Sequence, residues 1–173
     1  TAAIMHQVNY LTDIGFPMAT AAIALGAVGF GSAVGKFFFG WLCDQIQARY
    51  AAAICFALQL AGLIVLFIMR PTSPPAMIWL YAILMGFGVG GWLPTMSMLT
   101  STSFGLASYG AIFGGVTLAQ SLGDAFGPLV AGQIFDTTQS YFWAFVMLIV
   151  LFVAAIPATL AVRRPGSRSA PPG

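Results

Sequence analysis

Between Met18 and Val162 the sequence runs through five apolar stretches, roughly 18–42, 50–69, 75–98, 105–134 and 140–162, each bounded by short clusters of Pro, Gly, Asp, Ser and Thr. At a rise of about 1.5 Å per residue, every one is long enough to cross a hydrocarbon core of about 30 Å. The bounding residues are those that punctuate helices. Charge content excludes a water-facing globule: Asp, Glu, Lys and Arg make up only 6% of the 173 residues, against about a quarter in soluble domains. A membrane β-barrel would alternate with period two in segments of about 10 residues, and no such alternation is present. The expected fold class is therefore all-α, a polytopic helical membrane bundle.

Residues 1 to about 12 form a shorter stub, closed by Thr12, Asp13, Gly15 and Pro17. It is too short to span and reads as a truncated first helix, giving five full spans plus a stub. The chain opens on Thr with no basic segment ahead of an apolar run, so we expect a piece of a longer protein. Residues 1–162 are expected to form the bundle. Residues 163–173, which are Arg-, Pro- and Ser-rich, are expected to form a disordered tail.

Several function classes drop out. The formal charge of +2 is spread too thinly to neutralise a phosphate track, which excludes nucleic acid as a partner. His6 is the single histidine and has no paired ligand spacing, so no metal site is expected. The run from Gly86 to Gly91 resembles a dinucleotide loop in composition, but it lies inside a span with no strand before it. No nucleophile stands beside a base in a recognisable motif, so neither an enzyme nor a cofactor is expected. Cys43 and Cys55 read as packing residues.

Orientation follows from the basic residues. Arg49, Arg163, Arg164 and Arg168 fall on one side, and Arg70 alone falls on the other. The positive-inside rule then places the Arg49 loop and the C-terminus in the cytoplasm. Trp41 and Tyr50 are expected to flank the inner face; Trp79, Tyr81, Tyr141 and Trp143 are expected to flank the outer one.

Polar residues inside the spans are the candidates for function. Thr117, Gln120, Ser121 and Asp124 sit at offsets 0, 3, 4 and 7, which places them on one helical face. That face either lines a polar cavity or is satisfied by packing and by the helix's own carbonyls. Lys36 lies in an apolar helix with Ser32 one turn before it and Gly40 one turn after. An uncompensated Lys at mid-membrane costs about 2.5–3.5 kcal/mol on insertion scales, so it either attracts an anion or snorkels to the interface. Helix rise puts Lys36 and Asp124 at similar depth, each about 12 Å from the inner face. His6, Asn9 and Asp13 share a face on the stub and could border the outer mouth of a cavity. Four glycine pairs spaced by four, Gly31/Gly35, Gly86/Gly90, Gly110/Gly114 and Gly123/Gly127, mark faces for close helix approach.

The run Gly40-Trp41-Leu42-Cys43-Asp44-Gln45-Ile46-Gln47-Ala48-Arg49 resembles the signature of the major facilitator superfamily, found between the second and third helices of each six-helix half. Gly40, Leu42, Asp44 and Arg49 match it, whereas Gln45, Gln47 and Ala48 depart from it. The stretch from His6 to Phe16, followed by Gly29 to Lys36, looks like the seventh and eighth helices of the monocarboxylate and oxalate/formate branch, where the Lys36 position is typically basic. Ala119 to Pro128, Gly132 to Asp136 and Ser140 to Phe145 look like the eleventh and twelfth. Asp124 departs from that branch, where a small residue is commoner.

The resemblance implies the C-terminal half of a twelve-helix secondary transporter working by alternating access in the cell membrane. The expected cargo is a small organic anion, such as a mono- or dicarboxylate, moved by symport or antiport between two rocking halves. Lys36, Gln120, Asp124, Ser32, Thr117 and His6 would form the substrate site, with Gly40, Asp44 and Arg49 as the gating motif. The expected partners are that anion, the lipid bilayer and the N-terminal six-helix half of the same transporter. Two alternatives stay open: proton-coupled efflux of hydrophobic compounds, with Asp124 carrying the proton, and a membrane assembly factor that does not transport.

Overall fold

The computed structural model describes residues 2–70, 72–138 and 142–162. Six helices follow in order: α1 (Ala2–Asp13), α2 (Met18–Gln45), α3 (Ala48–Ile68), α4 (Pro75–Phe104), α5 (Tyr109–Thr138) and α6 (Phe142–Ala161). No strand occurs among the described residues. The expected tail from Arg163 onward, including Arg164 and Arg168, lies outside them, as does Tyr141.

Four helices, α2, α3, α4 and α6, are long and apolar enough to cross a membrane. α5 matches α4 in length at 30 residues. The polar stripe expected on it makes it the least apolar of the five long helices. The starts of α2 and α4 sit where the punctuation predicted, whereas α2, α4 and α5 run on to Gln45, Phe104 and Thr138, past the expected ends at 42, 98 and 134. Proline starts α2 and α4 from the N-cap, where its missing N–H costs nothing. Gly105 closes α4 at φ 77, a left-handed conformation that a side chain would strain.

The core is built around α4, with α2 and α3 flanking it. Glycines allow this approach, because without a hydrophobic drive between helices in lipid, close packing must supply the attraction. A Cβ at Gly86 would stand 2.8 Å from the Val28 carbonyl oxygen and 3.1 Å from the Gly31 Cα. One at Gly35 would stand 2.8 Å from the Phe87 carbonyl oxygen. The Gly31/Gly35 and Gly86/Gly90 pairs therefore interlock across α2 and α4. Gly110, Gly114 and Gly123 on α5 meet nothing within 4 Å, so the Gly110/Gly114 pair does not pack inside this chain.

A second contact pins α3 to α4. Gln59 donates its amide to the Gly88 carbonyl at 3.1 Å, and the Cys55 thiol donates to the same oxygen at 2.8 Å. Both side chains are buried, so the apolar setting strengthens bonds that would be weak in water. Cys43 and Cys55 are free thiols in the core, as the sequence suggested.

At the Asp13 end of the bundle, Tyr10 packs edge-on against Phe145 at 4.9 Å, and Phe67 lies tilted against both Phe142 and Phe145 at 5.7 Å. These rings tie α1, α3 and α6 together. Trp79 and Trp143 are exposed here, in keeping with an interfacial belt. Tyr81 is not part of that belt: it is fully buried and bonded to Gln7 on α1. A phenol inside a membrane bundle needs a polar partner, and none is visible from local spacing.

Candidate functional site

Lys36 projects from α2 and is exposed. Its backbone is held where α2 comes closest to α4: a Cβ at Gly90 would lie 2.9 Å from the Ser32 carbonyl carbon and 3.0 Å from the Lys36 amide nitrogen. Ser32 is half-buried at this contact. The cation therefore extends from a rigid mount, and it is the only Lys or Arg inside an apolar helix among the described residues. Arg49 and Arg70 sit at or beyond helix ends.

The stripe on α5 divides by chemistry. Thr117 donates to the Phe113 and Gly114 carbonyls at 3.0 and 2.9 Å, and Ser121 donates to the Thr117 carbonyl at 2.9 Å. The helix's own backbone thus satisfies both hydroxyls. Gln120 and Asp124 are exposed on the helix. Asp124 borders a cleft of about 270 Å³ lined by Phe56, Met85, Gly123, Gly127, Met147 and Leu151 among others. The walls come from α3, α4, α5 and α6, and Lys36 on α2 is not among them. Equal depth thus does not make Lys36 and Asp124 neighbours, because α2 packs on α4 and α1 while Asp124 looks towards α6.

His6 lies on α1, and its side chain falls outside the described residues. Its neighbour Gln7 is described: it is fully buried, its side-chain oxygen accepts from Tyr81, and its Nε2 has no partner. The sequence singles out neither Gln7 nor its pairing with Tyr81, which is expected there only as part of the outer aromatic belt. A polar Gln beside the apolar face of the stub was the available signal, whereas its partner stands 74 residues away.

The loop motif forms a tight end between α2 and α3. Gly40 is half-buried and a Cβ there would meet nothing within 4 Å; Asp44 is exposed. Arg49 lies over the Tyr50 ring at 4.8 Å and donates to its hydroxyl at 3.2 Å, so the guanidinium is engaged by Tyr50 and not by Asp44 in this conformation. A cavity of about 130 Å³ beside it is lined by Gln47, Ala48, Arg49, Leu99, Thr102, Ser103 and Val162. Val162 and Arg49 therefore share one end of the bundle.

The sequence matches the family model described as Major Facilitator Superfamily over residues 1–173. The chain belongs to this superfamily. Among curated relatives, it is 26% identical to monocarboxylate transporter 12 of Homo sapiens over 83% of this chain and 28% of the relative. It is 27% identical to monocarboxylate transporter 13 of Bos taurus over 83% of this chain and 33% of the relative. It is 28% identical to the probable nitrate/nitrite transporter NarK2 of Mycobacterium tuberculosis over 94% of this chain and 41% of the relative. The chain thus spans less than half the length of these superfamily relatives.

Proposed function

We propose that this chain is the C-terminal half of a secondary transporter that moves a small monovalent anion by alternating access, pairing with an N-terminal six-helix half. The observation that carries the reading is Lys36, a cation extended from the tightly fixed α2–α4 contact within an otherwise apolar helix. A charge in that position has a cost in lipid and needs a function to offset it. The relatives' names add a constraint, since monocarboxylates, nitrate and nitrite share one negative charge spread over oxygens of a small planar group. An ammonium with three donors suits such a group as a point charge.

On this reading Lys36 and Ser32 contact the anion, His6 borders its path, and Asp44 with Arg49 work the gate at their end of the bundle. The Arg49 end is cytoplasmic and the protein sits in the cell membrane. Arg49 rests on Tyr50 in the conformation described here and meets Asp44 when the gate rearranges.

The test is uptake by the complete transporter in proteoliposomes, with acetate, lactate, nitrate and nitrite as candidates and succinate and glucose as controls. Saturable, gradient-driven uptake or exchange of at least one monoanion is expected. Uptake confined to the controls, or none of any solute in either mode, overturns the reading.

A further inference from the structure

We infer that the cleft between α5 and α6 is a binding site for a small lipophilic amine, separate from the proposed anion path. Its residues place it in the middle of the bundle: Phe56, Met85, Asp124 and Leu151 all lie well inside their helices. Apart from Asp124 and the two glycines the lining is apolar, so an occupant carries an apolar body. The volume, about 270 Å³, lies just under the range of about 300–1,000 Å³ for drug-sized ligands, which limits the occupant to a small molecule.

The walls specify that body further. Phe56 and Phe152 stand 6.2 Å apart at a tilt of 54°, and Met85 and Met147 bring two thioethers to the same space. Rings and thioethers together favour an aromatic guest. Gly123 supplies a wall without a side chain, since a Cβ there meets nothing within 4 Å.

Asp124 specifies the head group. Among the described residues it is the one ionisable side chain in the lining, and a purely hydrocarbon guest would leave a carboxylate facing an apolar surface. Asp124 makes another interaction in the structure. A carboxylate has about four acceptor positions, so it takes a further N–H donor without giving that interaction up. An amine complements this cleft in charge, whereas a carboxylate or nitrate would be repelled by it. The site therefore discriminates against the class of solute assigned to Lys36, and its occupancy is read out by labelling, independent of transport.

The experiment uses the complete transporter in lipid nanodiscs with a photoactivatable probe, trifluoromethyl-diazirinyl benzylamine, and the matching benzyl alcohol as neutral control. Saturable amine label is expected on residues 123–127 and 147–155, in excess over the alcohol. Gly123→Leu fills the cleft and is expected to cut that label at least about tenfold, the equivalent of a tenfold weaker Kd. Ala155→Leu fills it from α6 and serves if the first variant does not assemble. Asp124→Asn is expected to erase the preference for amine over alcohol. Wild-type label spread evenly over lipid-facing residues, no excess of amine over alcohol, or label undiminished in a filled variant that elutes as a folded protein overturns the proposal.

Discussion

Tyr81 on α4 donates its hydroxyl proton to the side-chain oxygen of Gln7 on α1, and neither residue is exposed. The remaining amide nitrogen of Gln7 has no acceptor. Turning the amide over changes which atom is left alone but not the count. This contact fastens the short α1 to the core.

Removing one end of that contact is expected to cost more than removing both. Tyr81→Phe leaves a buried amide with no partner and is expected to destabilise by about 1–3 kcal/mol. Gln7→Met combined with Tyr81→Phe replaces the pair by apolar groups and is expected to recover most of the loss. Thermal unfolding in detergent checks this. A double variant as unstable as Tyr81→Phe would show that the pair is not an isolated contact.

Two glycines on α2, six residues apart, are expected to respond in opposite directions. Gly35→Ala drives a methyl to 2.8 Å from the Phe87 carbonyl and is expected to destabilise by about 1–3 kcal/mol through overpacking. Gly29→Ala meets nothing within 4 Å and is expected to gain up to about 1 kcal/mol in helix propensity. Melting temperatures of the two variants against wild type decide it, and equal shifts would contradict the interlock of α2 with α4.

This contrast shows what local pattern carries and what it does not. Helix positions, caps and the all-α class follow from apolar runs and Pro/Gly punctuation, which are properties of neighbours in sequence. Four glycine pairs looked alike by spacing, yet Gly31/Gly35 and Gly86/Gly90 interlock while Gly110, Gly114 and Gly123 face open space. Which face meets a partner is decided by the crossing of helices far apart in the chain. Lys36 and Asp124 make the same point: rise per residue gives depth along a helix axis but not direction around it. Tyr81 stood near a helix end, where aromatic belts form, but the face it occupies turns inward to Gln7.

Asp44 is exposed and Arg49 rests on Tyr50, so the motif contributes little to stability in this conformation. Asp44→Asn is expected to leave the unfolding free energy within about 0.5 kcal/mol of wild type, as for most surface substitutions. Its effect belongs to the cycle between conformations, and slower exchange of the transported solute at unchanged solute affinity is expected. Melting and exchange assays run on one preparation separate the two. A large loss of stability with normal exchange would assign Asp44 a structural role.

The central claim is that Lys36 binds the transported anion. The direct measurement is the kcat/KM of the complete transporter in proteoliposomes for the best-transported monoanion, compared across wild type, Lys36→Arg and Lys36→Gln. Loss of a desolvated charge partner costs about 2–5 kcal/mol, so Lys36→Gln is expected to lower kcat/KM by about 30-fold or more. Lys36→Arg keeps the charge and is expected to retain part of the activity. Undiminished transport by Lys36→Gln, with the protein folded and inserted to wild-type level, would contradict the account.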